Sequence, residues 1–183
     1  MERILLDCEK ISIVIDRLAL ELKERFNGVS ELALVGIHRR GVPLAQRLKQ
    51  KLKQLNPSFI ILEGRLDITL YRDDIDLKIS QPIVRQTDIA FDISDKYVVI
   101  VDDVLYTGRT TRAALDAITD LGRPKIIELL VLIERDGREF PISAQFIGKK
   151  ANTSSEDYVQ VHLKEIDGED SVRVINYGKP ARA

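Results

Sequence analysis

Apolar runs alternate along the chain with segments of helical periodicity. Residues 32–37, 98–101 and 126–133 are short, almost continuous apolar runs, a pattern that predicts strands buried on both faces of a parallel sheet. Apolar residues at helical spacing follow two of these runs, with Pro43 in the first turn of one helix and Gly122 at the end of the other. This alternation predicts an α/β fold with a mostly parallel sheet and helices on both faces.

Shorter elements are predicted at both ends and in the middle of the chain. Asp7 is the expected N-cap of a first helix that ends near Gly28. The remaining predicted strands are residues 4–6, 59–62, 66–70, 158–166 and 171–177, of which the last two form a hairpin. No linker divides the sequence, so we expect one domain over residues 1–178 and a frayed tail over residues 179–183.

Composition narrows the class of protein. The 183 residues are 44% hydrophobic with a formal net charge of -1, which excludes a strongly basic nucleic-acid binder. The charge is uneven, since residues 8–54 hold ten basic and five acidic side chains, whereas residues 67–103 hold four and nine. A single cysteine, Cys8, excludes an internal disulfide framework and predicts a cytoplasmic location. No apolar run is long enough to span a bilayer, so no membrane contact is expected.

The stretch from residue 98 to residue 111 carries the most specific chemistry. Two carboxylates, Asp102 and Asp103, follow the buried run, where the predicted strand ends. They could accept hydrogen bonds from sugar hydroxyls or hold the waters around Mg²⁺. A loop rich in hydroxyl groups follows, and the N–H groups at the start of the next helix form an anion site.

A ribose 5-phosphate would fit this acidic pair and anion site. The alternative is an ordinary strand–turn–helix in which the two Asp side chains serve only as caps. The candidate ligand-binding residues of the stretch are Asp102, Asp103, Val104, Leu105, Tyr106, Thr107, Gly108, Arg109, Thr110 and Thr111.

A second strand-to-helix corner is basic. Residues 36–41 read Gly-Ile-His-Arg-Arg-Gly, and arginine side chains with backbone N–H groups bind a diphosphate. Arg39 and Arg40 are therefore candidates, with a solvated tight turn as the alternative. The two histidines, His38 and His162, stand far apart, and the sequence has neither a metal-spaced cluster nor a nucleophile-elbow motif.

The sequence Asp-Asp-Val-Leu-Tyr-Thr-Gly-Arg-Thr over residues 102–110 resembles the phosphoribosyl pyrophosphate (PRPP) signature of the type I phosphoribosyltransferases. Its wording is similar to that of members that transfer to uracil and also regulate pyrimidine operons by transcription attenuation. Residues 34–41, 66–74 and 121–124 match the same members, and the likeness runs from about residue 8 to about residue 170. The resemblance implies that uracil and PRPP are converted to UMP and pyrophosphate with Mg²⁺ as cofactor.

The resemblance also implies roles for single residues around PRPP. It makes Asp102, Asp103 and Arg40 catalytic, with the acidic pair near Mg²⁺, held through water or PRPP. The basic corner becomes the pyrophosphate loop, which in the family often has a non-proline cis peptide bond. Arg85 lies in the segment over residues 79–95, where the family has a flexible loop that closes over the active site.

The base is the part of the substrate that the PRPP signature does not report. By resemblance, the late hairpin and parts of the middle segment form a hood over the active site. Arg135 and Val159 would then border the base pocket. A phosphoribosyltransferase for another nucleobase, without RNA-binding function, is the alternative that the sequence leaves open.

RNA binding is the second activity that the resemblance implies. Relatives carry basic and polar groups on the exposed side of the first helix and after the base-pocket loop. The matching basic residues here are Arg17, Arg25, Arg138 and Lys149. The expected ligands and partners are PRPP, uracil, UMP or UTP, the leader RNA of a pyrimidine operon and further copies of this chain.

The chain departs from those relatives at Ile13, Asp16, Leu20 and Ser143. At about 100° per residue, Leu20 and Ile13 lie away from the apolar stripe of the first helix. Two such side chains favour a subunit contact over a phosphate contact, and an acidic residue repels phosphate. Uracil transfer is therefore placed above RNA attenuation, and a homo-oligomer is expected.

Overall fold

The computed structural model describes residues 2–68 and 87–176, which form eight strands and four helices. The strands are β1 (Glu2–Leu6), β2 (Glu31–Ile37), β3 (Ile60–Leu66), β4 (Tyr97–Leu105), β5 (Ile126–Arg135), β6 (Phe146–Ala151), β7 (Asp157–His162) and β8 (Ser171–Asn176). The helices are α1 (Cys8–Arg25), α2 (Gly41–Leu55), α3 (Arg109–Leu121) and the short α4 (Lys164–Asp167). No helix in the described part of the chain is long and apolar enough to cross a membrane.

Five parallel strands form the central sheet in the order β3-β2-β4-β5-β6. Its middle strand, β4, is fully buried over residues 98–101, which explains the unbroken β-branched run. One apolar core lies between the sheet and α1 and α2, and a second lies between the sheet and α3. The predicted α/β fold with helices on both faces is therefore confirmed.

A second, three-stranded antiparallel sheet in the order β1-β8-β7 forms the hood together with α4. The hood packs on the same core as α1 and α2, through buried residues such as Val161, Leu163 and Val172. The predicted late hairpin is confirmed in outline, but residues 164–167 form α4 rather than strand. The sequence did not predict that β1 joins β8, because the pairing links opposite ends of the chain.

Several predicted boundaries are wrong. Of the predicted strand over residues 66–70, Leu66 is instead the last residue of β3, Asp67 and Ile68 are outside any strand, and residues 69–70 lie outside the described part of the chain. Strand β4 does not end before the acidic pair but continues through it to Leu105. Helix α3 begins at Arg109, so its first turn includes Thr110 and Thr111. Strand β6, which pairs with β5, was not predicted.

Local sequence explains the ends of the helices. The Asp7 carboxylate accepts a hydrogen bond from the backbone N–H of Lys10 at 2.9 Å, which is the predicted N-cap of α1. Ile11, Leu18 and Leu22 are buried along the predicted stripe of that helix. Arg85, the part of the predicted flexible loop over residues 79–86 and the predicted tail lie outside the described residues, and the single domain over residues 1–178 stays a prediction.

Candidate active site

The loops after β2 and β4 lie side by side at the carboxyl edge of the sheet, because the two strands are parallel neighbours. Two glycines let the loop after β2 come close to β4. A Cβ atom on Gly41 would lie 2.2 Å from the carbonyl oxygen of Val101, and one on Gly36 would lie 2.6 Å from the carbonyl oxygen of Gly41. The close packing therefore brings residues 38–41 next to the acidic pair.

The acidic pair is held by its own backbone. Asp102 is 7% exposed, and its Oδ1 accepts a hydrogen bond from the Asp103 N–H at 2.9 Å. Asp103 is half-buried, and its Oδ1 accepts one from the Val104 N–H at 3.0 Å. Burial raises the pKa of Asp103, and a side-chain hydrogen bond shared with Asp102 and the positive charge of Arg40 oppose that rise. A cation placed against this pair would favour the ionised form.

The loop from Thr107 to the first turn of α3 is preshaped as an anion site. Gly108 is the N-cap with φ of +91°, a conformation that disfavours other residues. The Thr107 hydroxyl accepts a hydrogen bond from the Arg109 N–H at 3.3 Å, and the Thr107 carbonyl accepts two from Glu139 and Phe140. The N–H groups of the first helical turn have no partner within the helix, so they are suited to bind a phosphate.

The side chains of this stretch point in different directions. Leu105 is buried in the core beside α3, and Val104 packs against the opposite core. Arg109 turns away from the loop, since its guanidinium binds Glu139 at 2.5 Å and lies over the Phe140 ring. Thr111 is 3% exposed, whereas Thr110 is half-buried. Of the predicted phosphate ligands, Arg109 is therefore already engaged elsewhere.

The basic loop has the cis peptide bond that the resemblance implies, between His38 and Arg39. Arg39 is exposed and helps to line a cleft of about 500 Å³ between α2 and the hood. Arg40 does not point freely into solvent. Its Nε and Nη2 bind both carboxylate oxygens of Asp167, in α4 of the hood, at 3.1 and 2.8 Å.

The hood carries acidic residues that the sequence analysis did not select. Asp167 binds Arg40, and Arg47 of α2 binds Glu165 at 2.6 Å and Asp170 at 2.7 Å. Arg40 holds the pKa of Asp167 below its ordinary value, and Arg47 does the same for Glu165. The signal was present as an acid-rich segment over residues 165–170, opposite a basic α2. Its partners could not be read from sequence because they lie more than a hundred positions away.

The predicted base-pocket residues lie at the junction between the sheet and the hood. Arg135 ends β5 and is 5% exposed, and its guanidinium lies 4.0 Å from the centroid of the Tyr106 ring. Val159 is partly buried on β7 and packs against the core below the hood. Tyr106 follows the last residue of β4, so its contact with Arg135 places Arg135 near the carboxyl edge of the sheet, where the acidic pair lies.

The predicted RNA-binding residues are mostly engaged within the protein. Arg17 donates to the carbonyl of Ile147 at 3.0 Å and so ties α1 to β6. Arg25 binds Glu128 at 2.6 Å, and Arg138 binds Glu134 at 2.9 Å. The side chain of Lys149 makes no hydrogen bond or ion pair within the described residues. Of the departures from the relatives, Ile13 is 60% and Leu20 is 52% exposed, and Asp16 binds Lys51.

The candidate metal ligands are the carboxylates of Asp102 and Asp103. Within residues 2–68 and 87–176 no group of three or more His, Cys, Asp or Glu side chains converges on a common point. Two adjacent carboxylates do suit Mg²⁺, which keeps several waters and binds proteins through one or two carboxylates together with substrate phosphates. Asp102 and Asp103 therefore fit a cation brought in with a phosphate ligand.

Comparison with known proteins identifies the class. The model of the phosphoribosyl transferase domain matches residues 3–166. Among solved structures, the hypoxanthine phosphoribosyltransferase of Trypanosoma cruzi superposes with a TM-score of 0.72 at 19% identity, covering 95% of this chain and 96% of that one. The matched domain therefore defines a phosphoribosyltransferase, and the superposition shows that the fold is shared.

Two curated relatives are much more similar. The bifunctional protein PyrR of Pelotomaculum thermopropionicum is 53% identical over 93% of this chain and 94% of its own length. The bifunctional protein PyrR of Deinococcus radiodurans is 48% identical over 94% of this chain and 93% of its own length. The chain therefore belongs to the phosphoribosyltransferase family and, within it, to the PyrR proteins. The resemblance stated from the sequence is confirmed.

Proposed function

We propose that this protein transfers the ribose 5-phosphate of PRPP to uracil, which gives UMP and pyrophosphate, and that it also regulates pyrimidine genes through RNA. The observation that carries the proposal is the meeting of three groups at one sheet edge: the acidic pair, the anion loop before α3 and the basic loop after β2. PRPP has a diol between a monophosphate and a diphosphate, and these groups complement its three parts.

The monophosphate is anchored by the N–H groups at the start of α3 and by the hydroxyls of Thr107 and Thr110. Gly108 lets the backbone approach the phosphate without a side chain in the way. This end of the substrate does not react, so its binding energy positions the ribose for transfer. The proposed reaction uses no protein nucleophile, so tight binding of the non-reacting phosphate is what orients the substrate.

The acidic pair acts on the ribose. Asp102 and Asp103 accept hydrogen bonds from the ribose hydroxyls, and their negative charge favours the cation-like ribose that forms as the bond from C1 to the diphosphate oxygen breaks. The bond from uracil N1 to C1 then forms, and the N1 proton is released. Asp102 and Asp103 would hold Mg²⁺ through water, and the ion, when bound, would supply positive charge to the leaving diphosphate.

Arg40 and the loop around it receive the leaving diphosphate. Because Arg40 is bound to Asp167 in the hood, it must exchange one anion for another when PRPP binds. Arg85 is proposed as a further cation for the diphosphate, as the resemblance implies. Arg135 and Val159 are proposed to border the base, with the Arg135 guanidinium packed against the ring of Tyr106.

The test of the catalytic proposal is direct. Purified protein is incubated with PRPP, Mg²⁺ and, in separate reactions, uracil, orotate, hypoxanthine or guanine, and pyrophosphate release is followed. We expect release with uracil that depends on Mg²⁺ and stops in Asp103→Asn. Release with a purine or orotate but not with uracil would contradict the base assignment, and no release with any base would contradict the reaction.

RNA binding rests on a smaller basic surface than the sequence suggested. Arg17, Arg25 and Arg138 make ion pairs and carbonyl contacts within the protein, so we propose Lys149 as the cation that contacts RNA. An electrophoretic shift with the leader RNA of the protein's own pyrimidine operon, with and without UMP, tests this. Lys149→Gln should weaken binding, whereas Lys150→Gln, a 73% exposed neighbour paired with Glu134, serves as the control.

Tight RNA binding that is unchanged in Lys149→Gln would contradict this assignment of the RNA surface. Absence of any RNA shift at low salt would contradict the regulatory role itself. We place both activities in the cytoplasm.

A homo-oligomer is proposed from the apolar residues exposed on α1. Sedimentation of Ile13→Ser with Leu20→Ser against the unmodified protein tests it, with a smaller assembly expected for the double variant. An unchanged sedimentation coefficient would contradict a contact through this face.

A further inference from the structure

The loop between β5 and β6 lies against the anion loop. The Thr107 carbonyl accepts hydrogen bonds from the backbone N–H groups of Glu139 at 2.9 Å and Phe140 at 3.1 Å. The side chain of Arg138 donates a hydrogen bond to the carbonyl of Tyr106, one residue earlier in the chain. Two consecutive carbonyls at the anion loop are therefore held by one short segment of the β5–β6 loop.

These hydrogen bonds decide which way an N–H group of the anion loop points. The peptide unit that joins Thr107 to Gly108 is trans, since the one cis peptide bond among the described residues joins His38 to Arg39. In a trans unit the C=O and the N–H point in opposite directions. Because the Thr107 carbonyl faces the β5–β6 loop, the Gly108 N–H faces away from that loop. The β5–β6 loop therefore sets the direction of this donor.

Phe140 is the side chain that anchors the β5–β6 loop to α3. The guanidinium carbons of Arg109 and Arg112, both at the start of α3, lie 5.7 and 5.8 Å from the centroid of its ring. Its Cβ lies 3.2 Å from the position that a Cβ atom on Gly108 would take. Phe140 is half-buried, so one residue contacts the helix with its ring and holds the Thr107 carbonyl with its N–H.

Glu139 adds an ion pair to the same contact. Its carboxylate binds the Nε of Arg109 at 2.7 Å and the Nη2 at 2.5 Å. Both side chains are exposed, so the ion pair contributes little to stability. Arg112 is paired with Asp116 of its own helix instead, at 3.1 Å. The ring of Phe140 is therefore the contact that both arginines share.

We propose that Phe140 is a positioning residue for the monophosphate of PRPP and UMP. It holds the β5–β6 loop against α3, and that loop in turn aims the Gly108 N–H at the phosphate. This rests on the proposed function and deepens it, because it assigns a determinant of phosphate affinity to a residue that does not touch the phosphate. Hydrogen bonds weaken steeply when the donor is misaligned, so a donor that is free to rotate loses affinity even though it is still present.

The experiment measures the Kd of UMP and the Kd of uridine by calorimetry, in the unmodified protein and in Phe140→Ala. The ratio of the uridine Kd to the UMP Kd reports what the phosphate adds to binding, and changes at the ribose or the base cancel in it. In Phe140→Ala we expect the UMP Kd to rise about tenfold, as for one lost hydrogen bond to a charged group, and the uridine Kd to stay within about twofold. The KM for PRPP should rise with the UMP Kd.

Two further substitutions grade the effect. Phe140→Tyr keeps the ring and should bind UMP like the unmodified protein. Phe140→Val keeps a side chain against Gly108 but has no ring for the arginines, so the UMP Kd should rise about threefold, the value of a partly exposed cation–π contact. Phe140→Val also decides the question if Phe140→Ala does not fold.

The matched control is Tyr97→Ala. Tyr97 is half-buried like Phe140 and also carries a cation over its ring, with Lys125 Nζ 4.9 Å from the ring centroid. It is the first residue of β4, so it lies at the opposite end of that strand from the anion loop. Tyr97→Ala should lower the melting temperature and leave the ratio of the two Kd values unchanged.

Two results would overturn the proposal. One is a folded Phe140→Ala or Phe140→Val protein in which the ratio of the uridine Kd to the UMP Kd equals that of the unmodified protein. The other is an equal fall of the ratio in Tyr97→Ala, because a general loss of stability would then explain the effect.

Hydrogen exchange tests the anchor without any ligand. The backbone N–H groups of Glu139 and residue 140 bond to the Thr107 carbonyl, so they should be protected in the unmodified protein. In Phe140→Ala both should exchange faster, whereas in Tyr97→Ala they should keep their protection. Unchanged exchange in Phe140→Ala would show that the ring does not hold the β5–β6 loop in place.

The titrations also separate this proposal from the proposed reaction. If the unmodified protein binds UMP more tightly than uridine but releases no pyrophosphate, the reaction is wrong, and the ratio in the variants still decides the role of Phe140. If it binds UMP no more tightly than uridine, the anion loop is not a phosphate site and both proposals fail.

Discussion

The two loops that meet at the carboxyl edge of the sheet are held in different ways. The loop after β4 is fixed by its own backbone and by the neighbouring loop, through hydrogen bonds to Asp102, Asp103 and Thr107. The loop after β2 is fixed by glycines that press it against β4 and by an ion pair from Arg40 to the hood. The loop after β4 therefore has its shape before a ligand binds, whereas Arg40 in the loop after β2 is already paired with Asp167.

This difference separates two contributions to substrate binding. A preshaped anion loop binds a phosphate without reorganisation. The arginine of the basic loop must first leave Asp167, so part of its attraction for a diphosphate is offset by the ion pair that is lost. Changes in the first loop should therefore reduce affinity, and one change in the second should increase it.

The largest effect is expected where the two loops touch. Gly41→Ala places a methyl group 2.2 Å from the Val101 carbonyl, and neither backbone can move without disturbing the sheet. We expect a loss of about 3 kcal/mol or more in the free energy of unfolding and no measurable transfer. Thermal and urea unfolding measure the first quantity.

Gly28→Ala is the control, because Gly28 has nothing within 4 Å of an added Cβ, although its φ of +83° disfavours a side chain. It should cost only about 1–2 kcal/mol, the penalty for the left-handed conformation, and leave activity intact. If Gly41→Ala lowers the free energy of unfolding no more than Gly28→Ala does, the close packing of the two loops does not stabilise the fold.

The second-largest effect is expected when the acidic pair loses one negative charge. Asp103→Asn should lower kcat for uracil transfer about a hundredfold to a thousandfold, the range for removing one transition-state electrostatic contact. Because burial raises the pKa of Asp103, its contribution to stability is present at low pH and is lost as pH rises through that raised pKa. At neutral pH the Asn variant should therefore be at least as stable as the unmodified protein.

Asp120→Asn, on the exposed end of α3, controls for the loss of a carboxylate and should keep full activity. A fully active Asp103→Asn protein, or one that is destabilised at neutral pH, would remove the acidic pair from the proposed chemistry.

A smaller loss is expected at the hydroxyl of the anion loop. Thr110→Val keeps the volume but removes a donor to the monophosphate, and PRPP affinity measured by calorimetry should fall by about 1–3 kcal/mol. Thr119→Val removes a hydroxyl from the same helix that bonds only to the Leu115 and Asp116 carbonyls among described atoms. Equal PRPP affinities in the two variants would mean that Thr110 does not touch the phosphate.

The smallest effect has the opposite sign. Asp167→Asn removes the charge that holds Arg40, and the KM for PRPP should fall about two- to fivefold, which corresponds to the modest value of a partly exposed ion pair. The pKa of Asp167 is lowered, so its stabilising effect is present above the ordinary value of 3.8 and is lost as pH falls through the lowered pKa. The Asn variant should therefore lose less stability on acidification.

Asp116→Asn, which breaks the exposed Arg112–Asp116 pair on α3, is the control for losing an ion pair elsewhere. A rise in the KM for PRPP in Asp167→Asn would show that the hood contact assists the diphosphate site instead of competing with it.

The difference between the two loops also explains which features the sequence could predict. The β4–α3 stretch was readable because its contacts are local: the acids bond to the next N–H, and Gly108 caps the helix that follows it. One of its errors, the early end of β4, arose because a strand at the middle of a sheet continues to pair even where its side chains become polar.

Contacts between distant segments were not readable. The Arg40–Asp167 pair spans 127 positions and the Arg47–Asp170 pair spans 123, so no local pattern joins them. Arg135 was selected for the base pocket, but its buried position behind Tyr106 depends on carbonyls of residues 154 and 157. Arg17 and Arg25 were selected as RNA contacts, and only the fold shows that each already has a partner inside the protein.

The order of strands in the hood has a consequence for synthesis on the ribosome. Its middle strand, β8, is the last described strand to be translated, and it joins β1, whose Glu2 lies 171 positions from its partner Arg173. The central sheet contains only residues 31–151 and can pair as it emerges. Until β8 is made, β1 has no neighbouring strand among those described, although the carboxylates that bind Arg40 and Arg47 are already in the chain at residues 165–170. A nascent chain that stops before residue 171 would therefore carry a formed anion loop and a hood whose two outer strands, β1 and β7, lack the strand that joins them.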